Sequence, residues 1–130
     1  MTLAVELERL LEVASGFGTV PMLLSTDENG RPRASAVSVT WDGTVASVRA
    51  GRRSLSNAAV RPLVSLLWPA PAGQRFALLV DGEAVDVRPD DAAEAGSDGG
   101  TAEKSGGLVT VQVTKAMLHV VDRVPGAAPA

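Results

Sequence analysis

Cysteine is absent from this sequence, and histidine occurs once, at His119. The first absence excludes disulfides, thiolate catalysis and every cysteine-based zinc or iron–sulfur site. The second excludes multi-histidine metal centres. A serine–histidine–acid triad would have to use His119, and no G-x-S-x-G elbow supplies its nucleophile. Chemistry is thereby pushed onto a bound cofactor, with no catalytic side chain and no metal ligand assigned. Only four aromatic residues are present, Phe17, Trp41, Trp68 and Phe76, so valine, leucine and alanine must build the core. No apolar run approaches the ~20 residues of a membrane span. The N-terminus, MTLAVELERLLEV, has acids where an export signal needs a basic start and an unbroken apolar run. The expected location is the cytoplasm, with no membrane partner.

Within 130 residues there is room for one domain with a real core. Charge is unevenly spread. Residues 31–80 hold seven arginines, Arg31, Arg33, Arg49, Arg52, Arg53, Arg61 and Arg75, against the single acid Asp42, a local balance of +6 in a chain of net charge −3. The net negative charge argues against general nucleic-acid binding. Concentrated arginine suits a small anion, because the planar guanidinium matches phosphate or carboxylate; a solvated, arginine-decorated surface is the competing reading.

Leu3, Leu7, Leu10, Leu11 and Ala14 fall on one stripe, which predicts an amphipathic helix over residues 3–14, capped by Thr2 and ended by Gly16. From Val20 the period becomes that of strands. Val20–Ser25 is followed by Asp27-Glu28-Asn29-Gly30, a hairpin signal, and by a return strand over Arg33–Thr40. Asp42-Gly43 makes the next turn and Val45–Arg49 the third strand. Ser54–Val60 reads as a two-turn helix stopped before Pro62, with Ser54 as its cap. Free N–H groups at Leu55–Asn57 would then converge with Arg52 and Arg53 on a phosphate pocket.

Val64–Trp68 is a fourth strand. Phe76–Val87 is a fifth, with a bulge at Asp81-Gly82. Residues 88–107 are small, acidic and glycine-rich, and predict a flexible loop; 124–130 form a loose tail. Leu108–Thr114 and Met117–Val121 complete the count. Short strands joined by Asn-Gly and Asp-Gly turns favour a mainly β fold, a barrel or a sandwich, over a parallel sheet.

The order and spacing of NGRPRASAVSVTWDG, VRAGRRSLSNAAVRPLVSLL and FALLVDGEAVDV resemble the FMN-binding split-barrel family related to pyridoxamine 5'-phosphate oxidase. The resemblance covers residues 5–121 and is sharpest over 29–87. It implies a six- to seven-stranded antiparallel split β-barrel of Greek-key type, with an N-terminal helix and a short internal helix. It also implies a homodimer with FMN at the interface. Carried over by position, Arg52 and Arg53 would hold the FMN phosphate. Ser35, Ala36, Val37 and Ser38 would approach the ring and ribityl chain, and Val48 and Arg49 would line the other wall. The family usually has a lysine where Ser54 stands and a threonine or serine near Val48; Arg53 would substitute for the lysine, and Ser54 would bond a phosphate oxygen. The longer C-terminal part of the true pyridoxamine phosphate oxidases has no counterpart here, so vitamin B6 oxidation is not expected.

The implied activity is flavin-dependent hydride or electron transfer to a small-molecule redox substrate. A deazaflavin is the alternative cofactor. The alternative function is a non-catalytic split barrel that holds a flavin, deazaflavin or haem, or has lost its ligand. His119 is expected to be structural, and both tryptophans to pack at strand ends.

Overall fold

The computed structural model describes residues 2–90 and 106–121. Within them eight strands form one antiparallel sheet: β1 (Thr2–Val5), β2 (Met22–Thr26), β3 (Pro32–Ala36), β4 (Ser38–Asp42), β5 (Val45–Gly51), β6 (Leu63–Trp68), β7 (Phe76–Pro89) and β8 (Gly106–Val120). Seven follow one path in the order β3-β2-β6-β7-β8-β5-β4, and β1 joins β8 off that path. The two ends of the path are consecutive in the chain. β3 and β4 are separated by Val37 alone, whose N–H bonds Pro21 O at 3.0 Å, while Val39 N–H bonds Thr19 O at 3.1 Å. One bent segment therefore serves both edges and curls the sheet into a split β-barrel. The expected single strand over Arg33–Thr40 is thus two, with a corner at Val37.

Alternation decides what lies inside. Val37, Val39, Ala46, Val48, Val64, Leu66, Trp68, Leu78, Val80, Val109 and Val111 are all buried. Each of the larger ones contributes about 1.5–3 kcal/mol by leaving water. Trp41 stacks on Trp68, ring centres 6.0 Å apart and planes inclined by 19°, and the Trp68 indole donates to Gly18 O at 2.9 Å. Both tryptophans are packing residues, as expected. The bulge at Asp81/Gly82 is present, with a second irregularity at Ala84/Asp86. At Gly82 a Cβ would stand 2.5 Å from Val111 Cγ1 and 2.8 Å from Gln112 O, so only glycine lets β8 pass this close.

The N-terminal segment departs from its helical period. Thr2–Val5 pair with His119–Ala116 as β1, a 3-10 turn follows at Leu7–Arg9, and the helix α1 covers only Leu10–Ser15. β5 pairs only with residues 106–112 of β8, which leaves the other half of that strand with an open edge. β1 supplies its hydrogen bonds, an outcome a local period cannot register. Thr2 accordingly caps nothing; its hydroxyl shares a 2.9 Å hydrogen bond with His119 Nδ1, which gives the histidine a structural role. Leu10 and Ala14 are buried, while Leu3 and Leu11 are exposed.

Two further boundaries move. β8 is one strand where two were expected, because β7 pairs with it from Gly107 to Val120. Residues 88–90 and 106–107 belong to the barrel, with Asp90 N–H bonding Gly106 O at 2.8 Å. The rest of the expected loop, 91–105, and the tail 124–130 lie outside the described residues. No described helix is long and apolar enough to cross a membrane.

Candidate functional site

The second helix, α2 (Arg52–Val60), starts two residues earlier than the pattern suggested. Gly51 occupies its N-cap position and no side chain caps it. Ser54 is therefore the third helical residue and not the cap. The main-chain donors at the helix start belong to Arg52, Arg53 and Ser54 rather than to Leu55–Asn57. Leu55, Asn57 and Ala58 are buried, and the helix packs against β7, β8 and β2. It ends at Arg61, whose N–H bonds Asn57 O at 2.8 Å, because Pro62 disfavours helical backbone in the residue before it.

A cleft of about 740 Å³ opens at this helix start. Its walls are Gly51, Arg52, Arg53, Ser54, Ser56 and Asn57 from the α2 region, Arg33 and Ser35 from β3, and Asp27, Glu28 and Asn29 from the β2–β3 hairpin. Two side-chain hydrogen bonds tie α2 to the strands. Ser35 Oγ and Ser54 Oγ share a hydrogen bond at 3.0 Å, and Asn57 Nδ2 donates to Ser25 Oγ at 3.3 Å. This links α2 to the barrel beneath it.

The hairpin wall is organised by Asp27. Its Oδ1 accepts from Asn29 N–H at 2.8 Å and Arg31 N–H at 3.0 Å. Its Oδ2 accepts from Arg33 Nε at 2.9 Å. The Arg31 N–H foremost, with the Arg33 side chain and the Asn29 N–H, holds this carboxyl below the usual aspartate range against the opposing effect of burial. Gly30 adopts φ +79°, the left-handed backbone that lets the Asn-Gly turn close.

Of the residues expected at the site, Ser35, Arg52, Arg53 and Ser54 meet in this cleft. Ala36 and Ser38 are exposed and do not line the cleft. Val37 and Val48 are 4% and 0% exposed, face the core and do not line the cleft; Val48 is paired on both sides, with Val39 and Val109. Arg49, paired with Ser38 in the sheet register, is engaged by Asp90, Nη1 lying 2.8 and 3.1 Å from its two carboxylate oxygens. The cleft is less positive than the arginine count implied, since Asp27 and Glu28 stand on its far wall. A charge count begun at residue 31 misses them. Arg33 was counted there and not placed at the site, though it shares a strand face with Ser35, a signal that period-2 alternation carried.

The cleft can hold an anionic group. Its donor set is arginine, serine and asparagine with the start of a helix, the chemistry that receives a phosphate ester. Among the described residues no cluster of three or more histidines and acids stands ready for a metal ion.

No family model matches this sequence, and no curated protein matches it. Solved structures do match in shape. A Clostridium acetobutylicum protein related to general stress protein 26 of B. subtilis, of the pyridoxinephosphate oxidase family, superposes with a TM-score of 0.64 at 13% identity, over 89% of this chain and 91% of that one. An F420 reductase gives 0.58 at 21% identity over 75% and 88%. The heme storage protein HutZ from Vibrio cholerae gives 0.56 at 21% identity over 89% and 95%. At these identities the likeness is one of fold: the chain is built as a split β-barrel of the kind found in pyridoxamine 5'-phosphate oxidase-like proteins.

Proposed function

We propose that this protein is an FMN-binding oxidoreductase whose cleft holds the phosphate end of the flavin. The observation that carries the reading is the meeting of Arg52, Arg53, Ser54 and Ser35 at the uncapped start of α2. Arg52 and Arg53 bind the phosphate, with the main-chain donors of the first helical turn and the Ser54 hydroxyl. Ala36 and Ser38, small and exposed, let a planar ring approach the Val37 corner. FMN, when bound, supplies hydride or electron transfer; the protein binds, orients and excludes water. The substrate is a small redox molecule that reaches the ring's open face.

The described part of the cleft encloses the phosphate end alone. The outer face at Ala36, Ser38 and Arg49 is open to a second copy of the chain, and a homodimer completes the site. The exposed apolar side chains Val60, Leu63 and Val85, at 68%, 76% and 60% exposure, give such a partner surface to bury.

Fluorescence titration with FMN tests the reading. Wild type quenches at micromolar FMN, and Arg52→Ala with Arg53→Ala loses that response. Sedimentation gives a dimer. Quenching that survives the double substitution would refute the phosphate assignment. A second reading, a deazaflavin or a non-catalytic binder in place of FMN, is favoured by Ser54: its hydroxyl is already shared with Ser35, and no cation stands there. Parallel titration with a deazaflavin and with haem separates these readings.

A further inference from the structure

The cleft has two ends of opposite character. At one, the start of α2, Arg52, Arg53, Ser54 and Ser35 gather. At the other, the β2–β3 hairpin, Glu28 and Asn29 line the wall. Glu28 is exposed and forms no ion pair with a described residue. Arg33 lines the cleft as well, with its charge offset by Asp27 at 2.9 Å. A site built for a lone phosphate gains nothing from the Glu28 carboxylate on its wall, because like charges repel.

The direction of β3 shows what the acidic end faces. The strand runs from Pro32 to Ala36, so Ser35 has the Val37 corner on one side and the hairpin on the other. With the phosphate at Ser35 and Ser54 and the flavin ring at the corner, the hairpin lies beyond the phosphate, away from the ring. From Ser35 back to Pro32 is about 10 Å, at about 3.3 Å per residue. The cleft volume of about 740 Å³ falls in the range of about 300–1,000 Å³ that receives a whole small molecule, well beyond the needs of one phosphate group.

We infer that the cleft takes a flavin that continues past its first phosphate, as a dinucleotide does. The second phosphate follows the first along β3, and the nucleoside sugar reaches the hairpin. There the Glu28 carboxylate accepts from ribose hydroxyls, the role an acidic side chain plays toward ribose in dinucleotide sites of another fold. The Asn29 amide adds a donor and an acceptor. Charge favours the same ligand. A terminal phosphate monoester carries about −1.5 to −2 at neutral pH, all of it facing Glu28, whereas a diester has no second ionisation and brings neutral hydroxyls to that wall. The inference rests on the reading of this cleft as the flavin phosphate site and extends it to the size of the cofactor, with Glu28 as the specificity-determining contact.

The experiment is calorimetric titration with FMN and FAD on wild type, Glu28→Ala, Glu28→Gln and Arg52→Ala with Arg53→Ala. Wild type binds FAD about tenfold more tightly than FMN, the worth of a hydrogen bond to a charged group. Glu28→Ala removes that advantage without weakening FMN, which a general loosening of the cleft would not produce. Glu28→Gln keeps an acceptor without the charge and retains part of the advantage. The turn is held by Asp27 rather than by the Glu28 side chain, so both variants fold.

FAD bound no more tightly than FMN overturns the inference, as does a preference for FAD that survives Glu28→Ala; FMN binding that is lost in the double arginine variant leaves the flavin reading standing in either case. A wild-type protein that binds neither flavin overturns both.

Discussion

Ser54→Lys places a cation at the third residue of α2, and its consequences for the free and the liganded protein have opposite sign. In the free protein the change removes the 3.0 Å hydrogen bond between Ser54 and Ser35, worth about 0.5–1.5 kcal/mol. It also sets a positive charge at the positive end of the helix dipole, which costs about 0.3–1 kcal/mol. The sum is roughly 1–2.5 kcal/mol, a fall in Tm of roughly 3–10 °C for a domain of this size. With a phosphate ester in the cleft the lysine adds a charge-assisted hydrogen bond worth about 1.5–3 kcal/mol in exchange for the weaker contact of a hydroxyl. A net gain near 1.4 kcal/mol is about tenfold in affinity. Thermal melts with and without saturating FMN, together with titration, read both quantities. The variant melts below wild type alone and gains more from FMN than wild type does. A lower Tm without any gain in FMN affinity would refute the placement of the phosphate at this helix start.

Other consequences are independent of the ligand or nearly so. Gly82→Ala drives a Cβ into Val111 Cγ1 and Gln112 O, at 2.5 and 2.8 Å, and costs about 1–3 kcal/mol in urea unfolding; a neutral result would mean that β7 and β8 separate freely at the bulge. Trp68→Phe removes the bond to Gly18 and the second indole of the stacked pair, so the exciton couplet of the two indoles disappears from the circular dichroism spectrum and Tm falls; a persisting couplet would contradict the pair. Asp27 has a folded pKa below its unfolded value, so its contribution to stability is fully present above the unfolded value near about pH 4 and is lost as pH falls through the folded one. Chemical denaturation from pH 7 downward shows that loss in wild type, and Asp27→Asn removes its share of the slope; identical profiles would sink the assignment.

What the sequence revealed and what it hid follow from the range of the interactions. The Asp27–Gly30 and Asp42-Gly43 turns, the short helix before Pro62 and the bulge at Asp81-Gly82 are written in neighbouring residues, and each is present. β1 is set by the vacant edge of β8, more than 110 positions away, and no helical period competes with that pairing. The corner at Val37 depends on hydrogen bonds to Thr19 and Pro21, where the alternation of Arg33–Thr40 runs on unbroken. Ser54 has the chemistry of a cap, but Gly51 already has the extended backbone of one, with ψ 172°; the Ser54 hydroxyl goes to Ser35 instead. At the site, the arginines and serines adjoining α2 were readable. The hairpin wall was not, because folding carries Asp27 and Glu28 from about 25 positions upstream to face them.

The comparison of FMN with riboflavin on the wild-type protein isolates the grip on the phosphate, since the two ligands differ only in that group. With Arg52, Arg53 and the start of α2 gripping that group, FMN binds at least about a hundredfold more tightly, a difference of about 2.7 kcal/mol. Equal affinity for the two flavins would place the phosphate outside the cleft.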